Sequence, residues 1–210
     1  MISYLTSKLS FPEVHEADPD GLLAVGGDLS VERLVLAYKS GVFPWFETGQ
    51  PILWWSPDPR FVLFPEKLKV SKSMKQVLRN CDFTVTINQD FKTVITECSK
   101  AKREGQPGTW ITTSMIDGYI KLHEQGLAKS IEVWQDDNLV AGFYGVDLDN
   151  GVFCGESMFT KVSNASKAGF ISFIQNTNYK LIDCQVYTNH LASLGAENMS
   201  RATFLKHINP

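Results

Sequence analysis

Three polar side chains lie in stretches otherwise built for a protein core. Leu181-Ile182-Asp183-Cys184-Gln185-Val186 carries an acid and an amide two positions apart, and Val152-Phe153-Cys154-Gly155-Glu156-Ser157-Met158-Phe159 carries a lone carboxylate. Side chains alternate along a strand, so Ile182, Cys184 and Val186 share one face while Asp183 and Gln185 share the other. A buried carboxylate is costly unless it is hydrogen-bonded or paired. Two readings follow for Asp183. It bonds a backbone amide or a nearby lysine and only fixes the fold, or it converges with Gln185 and Glu156 at the open end of a sheet, where a reacting group can be oriented.

The surrounding elements must do that positioning. Val152 to Phe159 reads as a buried strand with Glu156 at its mouth, and Asn164 caps a helix whose Ala165, Ala168, Ile171, Phe173 and Ile174 form an apolar stripe. Upstream, Ser130–Trp134 and Leu139–Val146 read as a hairpin, preceded by a strand at Phe83–Ile87 and helices over Phe91–Ala101 and Ser114–Gln125. Strands, one crossover helix and a further strand describe a mixed sheet. The fold class is α+β, with a small N-terminal domain over residues 1–62 and a mixed-sheet domain over 63–210.

In the small domain, Gly26-Gly27 lacks the lysine of a P-loop and the three spaced glycines of a dinucleotide fingerprint, so it reads as a tight turn before a helix that ends at Gly41. Trp54 and Trp55 are expected to pack one domain on the other, whereas Trp45, beside Pro44, is placed to line a cleft between them. After Ser71, Lys72, Lys75 and Arg79 fall on one helix face opposite Met74, Val77 and Leu78. That stripe is either a solvated surface or a phosphate contact. A weaker basic group follows at Lys100 to Arg103, and a short helix closes the chain from Ser200 to Ile208.

Composition narrows the classes. A net charge of −3 gives no global attraction for a polyanion, so any nucleic-acid contact must be local. No apolar run approaches the roughly 18 residues of a membrane span, and no leader is visible, which predicts a cytoplasmic protein without membrane contact. The four cysteines, at 81, 98, 154 and 184, have no metal-like spacing and fit a reducing compartment.

Six blocks taken together resemble the leucyl/phenylalanyl-tRNA–protein transferase family. They are the run from Asp18 to Leu29, Gly41-Val42-Phe43-Pro44-Trp45-Phe46, Trp54-Trp55-Ser56-Pro57-Asp58-Pro59-Arg60, Gly108-Thr109-Trp110-Ile111, Phe153 to Phe159, and Asp183-Cys184-Gln185. The resemblance implies transfer of Leu, Phe or, less well, Met from aminoacyl-tRNA to the α-amino group of proteins or peptides beginning with Arg or Lys, which marks them for N-end rule degradation. It also implies a larger domain similar to the N-acetyltransferase (GNAT) fold, and neither metal nor organic cofactor. A monomer is expected.

Carried over by position, Asp183 and Gln185 match the pair to which the family's chemistry is assigned, and Glu156 matches its companion acid. Trp45, Trp110, Phe153 and Phe173 match the aminoacyl-pocket wall. Phe143 stands where a Met is frequent and Phe170 where a Leu is frequent, so stiff rings replace flexible chains in this pocket. The resulting expectation is that Gln185 bonds the attacking amine, Asp183 polarises Gln185 and helps take up the proton, and Glu156 holds the acceptor. Lys72, Lys75 and Arg79 are the expected tRNA contact. A substrate-assisted route, with the tRNA's terminal hydroxyl shuttling the proton, leaves Asp183 a structural task. The rival readings are an acyl-coenzyme A dependent N-acyltransferase and a non-catalytic aminoacyl-tRNA binding module.

Overall fold

Strand alternation and helix periodicity sort this chain into two sheets that share a core. The computed structural model describes residues 2–80, 83–101 and 109–209. The first part contains β1 (Ser3–Leu5), β2 (Leu22–Gly26), α1 (Val31–Lys39), β3 (Phe43–Pro44) and β4 (Leu53–Trp55). Its strands are ordered β1-β2-β4-β3. Gly26 and Gly27 take φ of 88° and 75°, the left-handed region that glycine enters without steric cost, and Ser30 caps α1 by accepting the Arg33 N–H.

The second part runs β5 (Arg60–Leu63), α2 (Lys72–Asn80), β6 (Thr84–Ile87), α3 (Phe91–Lys100), α4 (Thr113–Glu124), β7 (Ala128–Gln135), β8 (Asn138–Asp147) and β9 (Val152–Thr160). It continues with α5 (Ala165–Gln175), β10 (Leu181–Gln185), α6 (Asn189–Ser193), β11 (Glu197–Met199) and α7 (Arg201–Ile208). These strands form one mixed sheet ordered β11-β5-β10-β9-β8-β7-β6. Within it β9 and β10 are parallel, as two strands joined by a crossover helix must be, and the other neighbours are antiparallel. Residue 62 falls inside β5, which already belongs to the large sheet, while the small sheet ends at Trp55.

The pleat sends adjacent residues to opposite sides. Phe143, Phe153 and Ile182 pack under α5 in one cluster. Their neighbours Tyr144, Cys154 and Leu181 pack on the other side with Tyr119 and Leu122 of α4, in a cluster that runs on into Leu34, Tyr38 and Trp54 of the small part. Helix α5 is buried well beyond a single stripe, Ser166 and Phe170 included, because α2 also packs against it. Asn164 precedes it with φ of 67° and no side-chain capping bond, so the expected cap is positional only.

One buried ion pair crosses this architecture. Arg60 opens β5 and is 1% exposed, Asp183 on β10 is 0% exposed, and Arg60 Nε and Nη2 donate to the two Asp183 carboxylate oxygens at 2.9 and 2.7 Å. Arg60 Nη1 also donates to the Gly41 carbonyl at 3.2 Å, and the guanidinium lies over the rings of Phe43 and Phe204. One side chain therefore ties the small sheet, β5, β10 and α7 together. Removing one partner strands the other charge in a dry interior, so Arg60→Ala and Asp183→Asn should each lower the unfolding free energy by about 3–5 kcal/mol in denaturant titrations. A paired replacement by apolar residues of matched volume, Arg60→Met with Asp183→Leu, should recover most of that loss.

Candidate active site

The parallel pairing of β9 with β10 ends at Cys154 opposite Asp183, and beyond that point each strand carries an irregularity. In β9, Tyr144 pairs Ser157 and Gly145 pairs Gly155, so Glu156 is the extra residue of a bulge. Gly145 permits the close approach there: an added Cβ would lie 2.3 Å from the Cys154 carbonyl oxygen. In β10, Asp183 pairs Val62 and Gln185 pairs Phe61, which leaves Cys184 as the inserted residue and Gln185 at φ of 63°. Bulges re-aim side chains beside functional sites. Here the two bulges bring Gln185 and Glu156 together across the gap, with Gln185 Nε2 donating to Glu156 Oε1 at 2.6 Å.

The three polar residues singled out by sequence are thus neighbours, but their hydrogen bonds differ from simple alternation. Asp183 bonds the backbone of Gln185, not its side chain: the Gln185 N–H donates to Asp183 Oδ1 at 2.9 Å. The Asp183 carboxylate accepts from Arg60 on both oxygens and so holds the bulge to β5, while Asp183 also lies in the cavity lining. Glu156 is the group in a proton-sensitive setting. It is 9% exposed. Burial raises its pKa to about 7 against the opposing pull of the Tyr38 and Tyr119 hydroxyls and the Gln185 amide, and the Asp183 charge pushes in the same direction as burial. Tyr119 on α4 donates to Glu156 Oε2 at 2.9 Å, and the Tyr38 hydroxyl from α1 bonds the Tyr119 hydroxyl.

This cluster forms one wall of a cavity of about 440 Å³. Phe43, Trp45, Trp110, Phe143, Met158 and Phe170 give the remainder a largely apolar lining. Trp45 is held from behind by the Trp55 indole, which donates to its carbonyl at 2.7 Å. Phe143 and Phe170 meet edge to face with centroids 5.6 Å apart. Phe153 and Phe173, expected in the wall, stand one layer deeper. They lie 4.9 Å from each other, and Phe173 lies 5.4 Å from Phe143, because the β9 pleat turns Phe153 under α5 and away from the gap. They support the wall ring without lining the cavity.

Lys72, Lys75 and Arg79 are exposed along α2, whose Met74 faces the core. Upstream, Lys67 is paired to Glu197 at 2.6 Å, and Lys69 is exposed. Lys102 and Arg103 lie outside the described residues. Among the described residues no cluster of His, Cys, Asp and Glu could hold a metal ion, and no helix is long and apolar enough to cross a membrane.

Sequence reasoning missed the roles of Arg60, Tyr38 and Tyr119. The signal for Arg60 was indirect: a buried Asp183 demands a cation, and an arginine opening an apolar strand demands an anion. Nothing in the local sequence marks the two tyrosines, which sit on amphipathic helices as ordinary core residues.

Comparison with known proteins agrees with this layout. A family model described as leucyl/phenylalanyl-tRNA protein transferase matches residues 62–209, and the model of that protein's N-terminal domain matches residues 27–58. Among proteins named leucyl/phenylalanyl-tRNA–protein transferase, one from Flavobacterium johnsoniae is 59% identical over 205 residues, 96% of either chain. One from Christiangramia forsetii is 56% identical over 98% of this chain and 99% of its own, and one from Pseudomonas fluorescens is 51% identical over 99% and 94%. A GCN5-related N-acetyltransferase structure from Kribbella flavida overlays remotely, at a TM-score of 0.38 and 12% identity, covering 79% of this chain and 59% of that one. With sequence matches along nearly its whole length, the chain belongs to the leucyl/phenylalanyl-tRNA–protein transferase family.

Proposed function

We propose that this chain moves Leu or Phe, and Met less well, from aminoacyl-tRNA to the α-amino group of proteins beginning with Arg or Lys, so marking them for N-end rule degradation. The observation that carries this reading is an aromatic cavity opening directly onto the Glu156–Gln185 hydrogen bond. The donor's side chain occupies the cavity, which places its ester carbonyl beside that pair. Because the substrate is charged tRNA, the cytoplasm is the working compartment, and a single chain holds every group the reaction needs.

The donor ester is already activated, so no covalent enzyme intermediate is required. The acceptor must be a neutral amine, and with a pKa of roughly 7.7 to 8.0 its deprotonation at neutral pH costs on the order of 1 kcal/mol. Holding amine and ester in attack geometry can supply roughly 7 to 11 kcal/mol, so positioning dominates. Gln185 gives its amide N–H to Glu156 and so offers its carbonyl oxygen to an N–H of the amine. Attack on the ester carbon makes the nitrogen cationic. Glu156 takes one proton from it and returns that proton to the tRNA's terminal oxygen as the carbon–oxygen bond breaks. A carboxyl with a pKa of about 7 suits a group that must both accept and donate near neutrality. Asp183 acts through Gln185, by fixing its backbone.

An aromatic cavity separates side chains by size and shape. One methylene is worth only about 1 to 3 kcal/mol, so discrimination among apolar donors is moderate. Phe143 and Phe170 meet edge to face, which favours side chains unbranched at Cβ over β-branched ones. The exposed face of Lys72, Lys75 and Arg79 contacts tRNA phosphates.

Single-turnover transfer of labelled Phe from tRNA to an Arg-initiated protein tests the activity, and absence of transfer refutes it. In kcat/KM, two ionisations below pH 7 should give a log–log slope of about two. Glu156→Gln should reduce that slope to about one, with a rate loss of roughly 10²-fold, whereas Gln185→Ala should lose roughly 10²-fold or more without a change of slope. The same Glu156→Gln change has a stability signature. With its pKa raised from 4.5 to about 7 by folding, Glu156 makes the native state lose stability as pH rises between those values and no further above them. That loss, on the order of 3 kcal/mol, should be absent from the variant's denaturation profile. Reversing Lys72, Lys75 and Arg79 to Glu should weaken aminoacyl-tRNA binding and lower its salt slope by roughly two to three, while transfer from aminoacyl-adenosine stays unchanged.

A further inference from the structure

Glu156 sits where both of its oxygens already receive hydrogen bonds, Oε1 from the Gln185 amide and Oε2 from the Tyr119 hydroxyl. Tyr119 has a single proton and gives it to the carboxylate, so the hydrogen bond between the two tyrosine hydroxyls is donated by Tyr38. The result is a directed chain, Tyr38 to Tyr119 to Glu156, that begins on α1 of the small part and ends at the reaction centre. Tyr38 and Tyr119 are 1% and 0% exposed, and neither lines the cavity. They touch no substrate, yet their arrangement favours one protonation state of the group that does.

We propose that Tyr119, backed by Tyr38, is a positioning residue that aims Glu156 at the acceptor amine and sets the pH at which it takes up the proton. The inference rests on the reading of Glu156 as the proton shuttle. A carboxylate accepts both incoming hydrogen bonds without rearrangement. A protonated Glu156, its proton turned toward the cavity, is a weaker acceptor for both, so the chain that starts at Tyr38, deep in the core, favours the charged form. Hydrogen bonds made to the charged form of an acid lower its pKa, which opposes the effect of burial. The other groups around Glu156 push both ways. Asp183 on β10 and Cys154 on β9 are acids in its surroundings, Arg60 on β5 is cationic and interacts with it, the Gln185 amide is neutral, and Tyr144 on β8 packs against Tyr119 with ring centroids 5.4 Å apart. Of these, the tyrosine chain is the element whose removal leaves charge, backbone and cavity walls in place.

The test uses the full chain labelled with 13C at glutamate carboxyls, with Glu156→Gln assigning the Glu156 resonance. In the wild type that resonance should titrate with a midpoint near 7. In Tyr119→Phe the midpoint should move up by roughly one pH unit or more. The double variant Tyr38→Phe/Tyr119→Phe, which leaves no orphaned hydroxyl, should move it in the same direction and guards against a folding defect of the single variant. The lower limb of kcat/KM for transfer should shift by the same amount, so that the rate at pH 7 falls roughly fivefold or more and recovers as pH rises. In a Glu156→Gln background the tyrosine substitutions should shift no limb. An unmoved midpoint, or a loss of rate equal at every pH, overturns the proposal. A wild type that titrates near 7 but transfers nothing sinks the proposed function instead, and leaves the effect of the tyrosines on Glu156 readable from the resonance alone.

Discussion

The contact between Arg60 and Asp183 is the constraint from which the rest of this molecule follows. Two opposite charges with no access to water must find each other, because either alone in that interior costs more than most single interactions contribute. The geometry is bidentate and the remaining guanidinium nitrogen is satisfied by the Gly41 carbonyl, so the pair leaves little rotational freedom at either end. Its effect reaches the chemistry through one further bond. Asp183 Oδ1 also accepts the Gln185 N–H, and that bond stabilises the left-handed turn at Gln185 which delivers its side chain to Glu156. The Arg60–Asp183 pair thereby sets the orientation of the Gln185 side chain.

The gap between β9 and β10 gives that orientation its use. A sheet is a poor place for a reaction as long as every backbone group is paired and every side chain points up or down. Two bulges at neighbouring positions on adjacent strands change this, since they end the pairing and turn a carboxylate and an amide toward one another. Small residues make room for the irregularity, with Gly145 facing Gly155 across β8 and β9. The small N-terminal part closes one side with Phe43 and Trp45, so the cavity exists because both sheets share a core.

The order of strands and helices was legible because periodicity and capping are local. Phe91 to Ala101, the β7–β8 hairpin and the cap at Ser200 follow from patterns a few residues long. The polar triplet was legible for a different reason: acids in apolar strands are expensive, so Asp183 and Glu156 stand out from residue types and spacing alone. What remained hidden is non-local. Arg60 meets Asp183 across 123 positions, and Tyr38 meets Tyr119 across 81. Bulges were hidden too, because alternation counts residues and a bulge inserts one; that Asp183 would bond the Gln185 backbone was not visible at that step. Phe153 and Phe173 show the same limit, since matching a pocket motif does not tell a wall from the layer behind it.

The aromatic wall and the proton chemistry are not separate devices. The rings proposed to receive the donor side chain also exclude water from the Glu156 carboxylate, and exclusion of water raises its affinity for a proton. Filling the cavity with the donor side chain removes more water and pushes in the same direction. Ordinary glutamate ionises too readily to return a proton to a leaving oxygen at neutral pH, whereas a fully desolvated one would remain protonated and could not accept it. Hydrogen bonds from buried hydroxyls and an amide offset part of the burial, leaving Glu156 between those extremes. In the proposed reaction, substrate recognition and acid–base balance are thus one property of the same walls, and a change in wall packing must alter both.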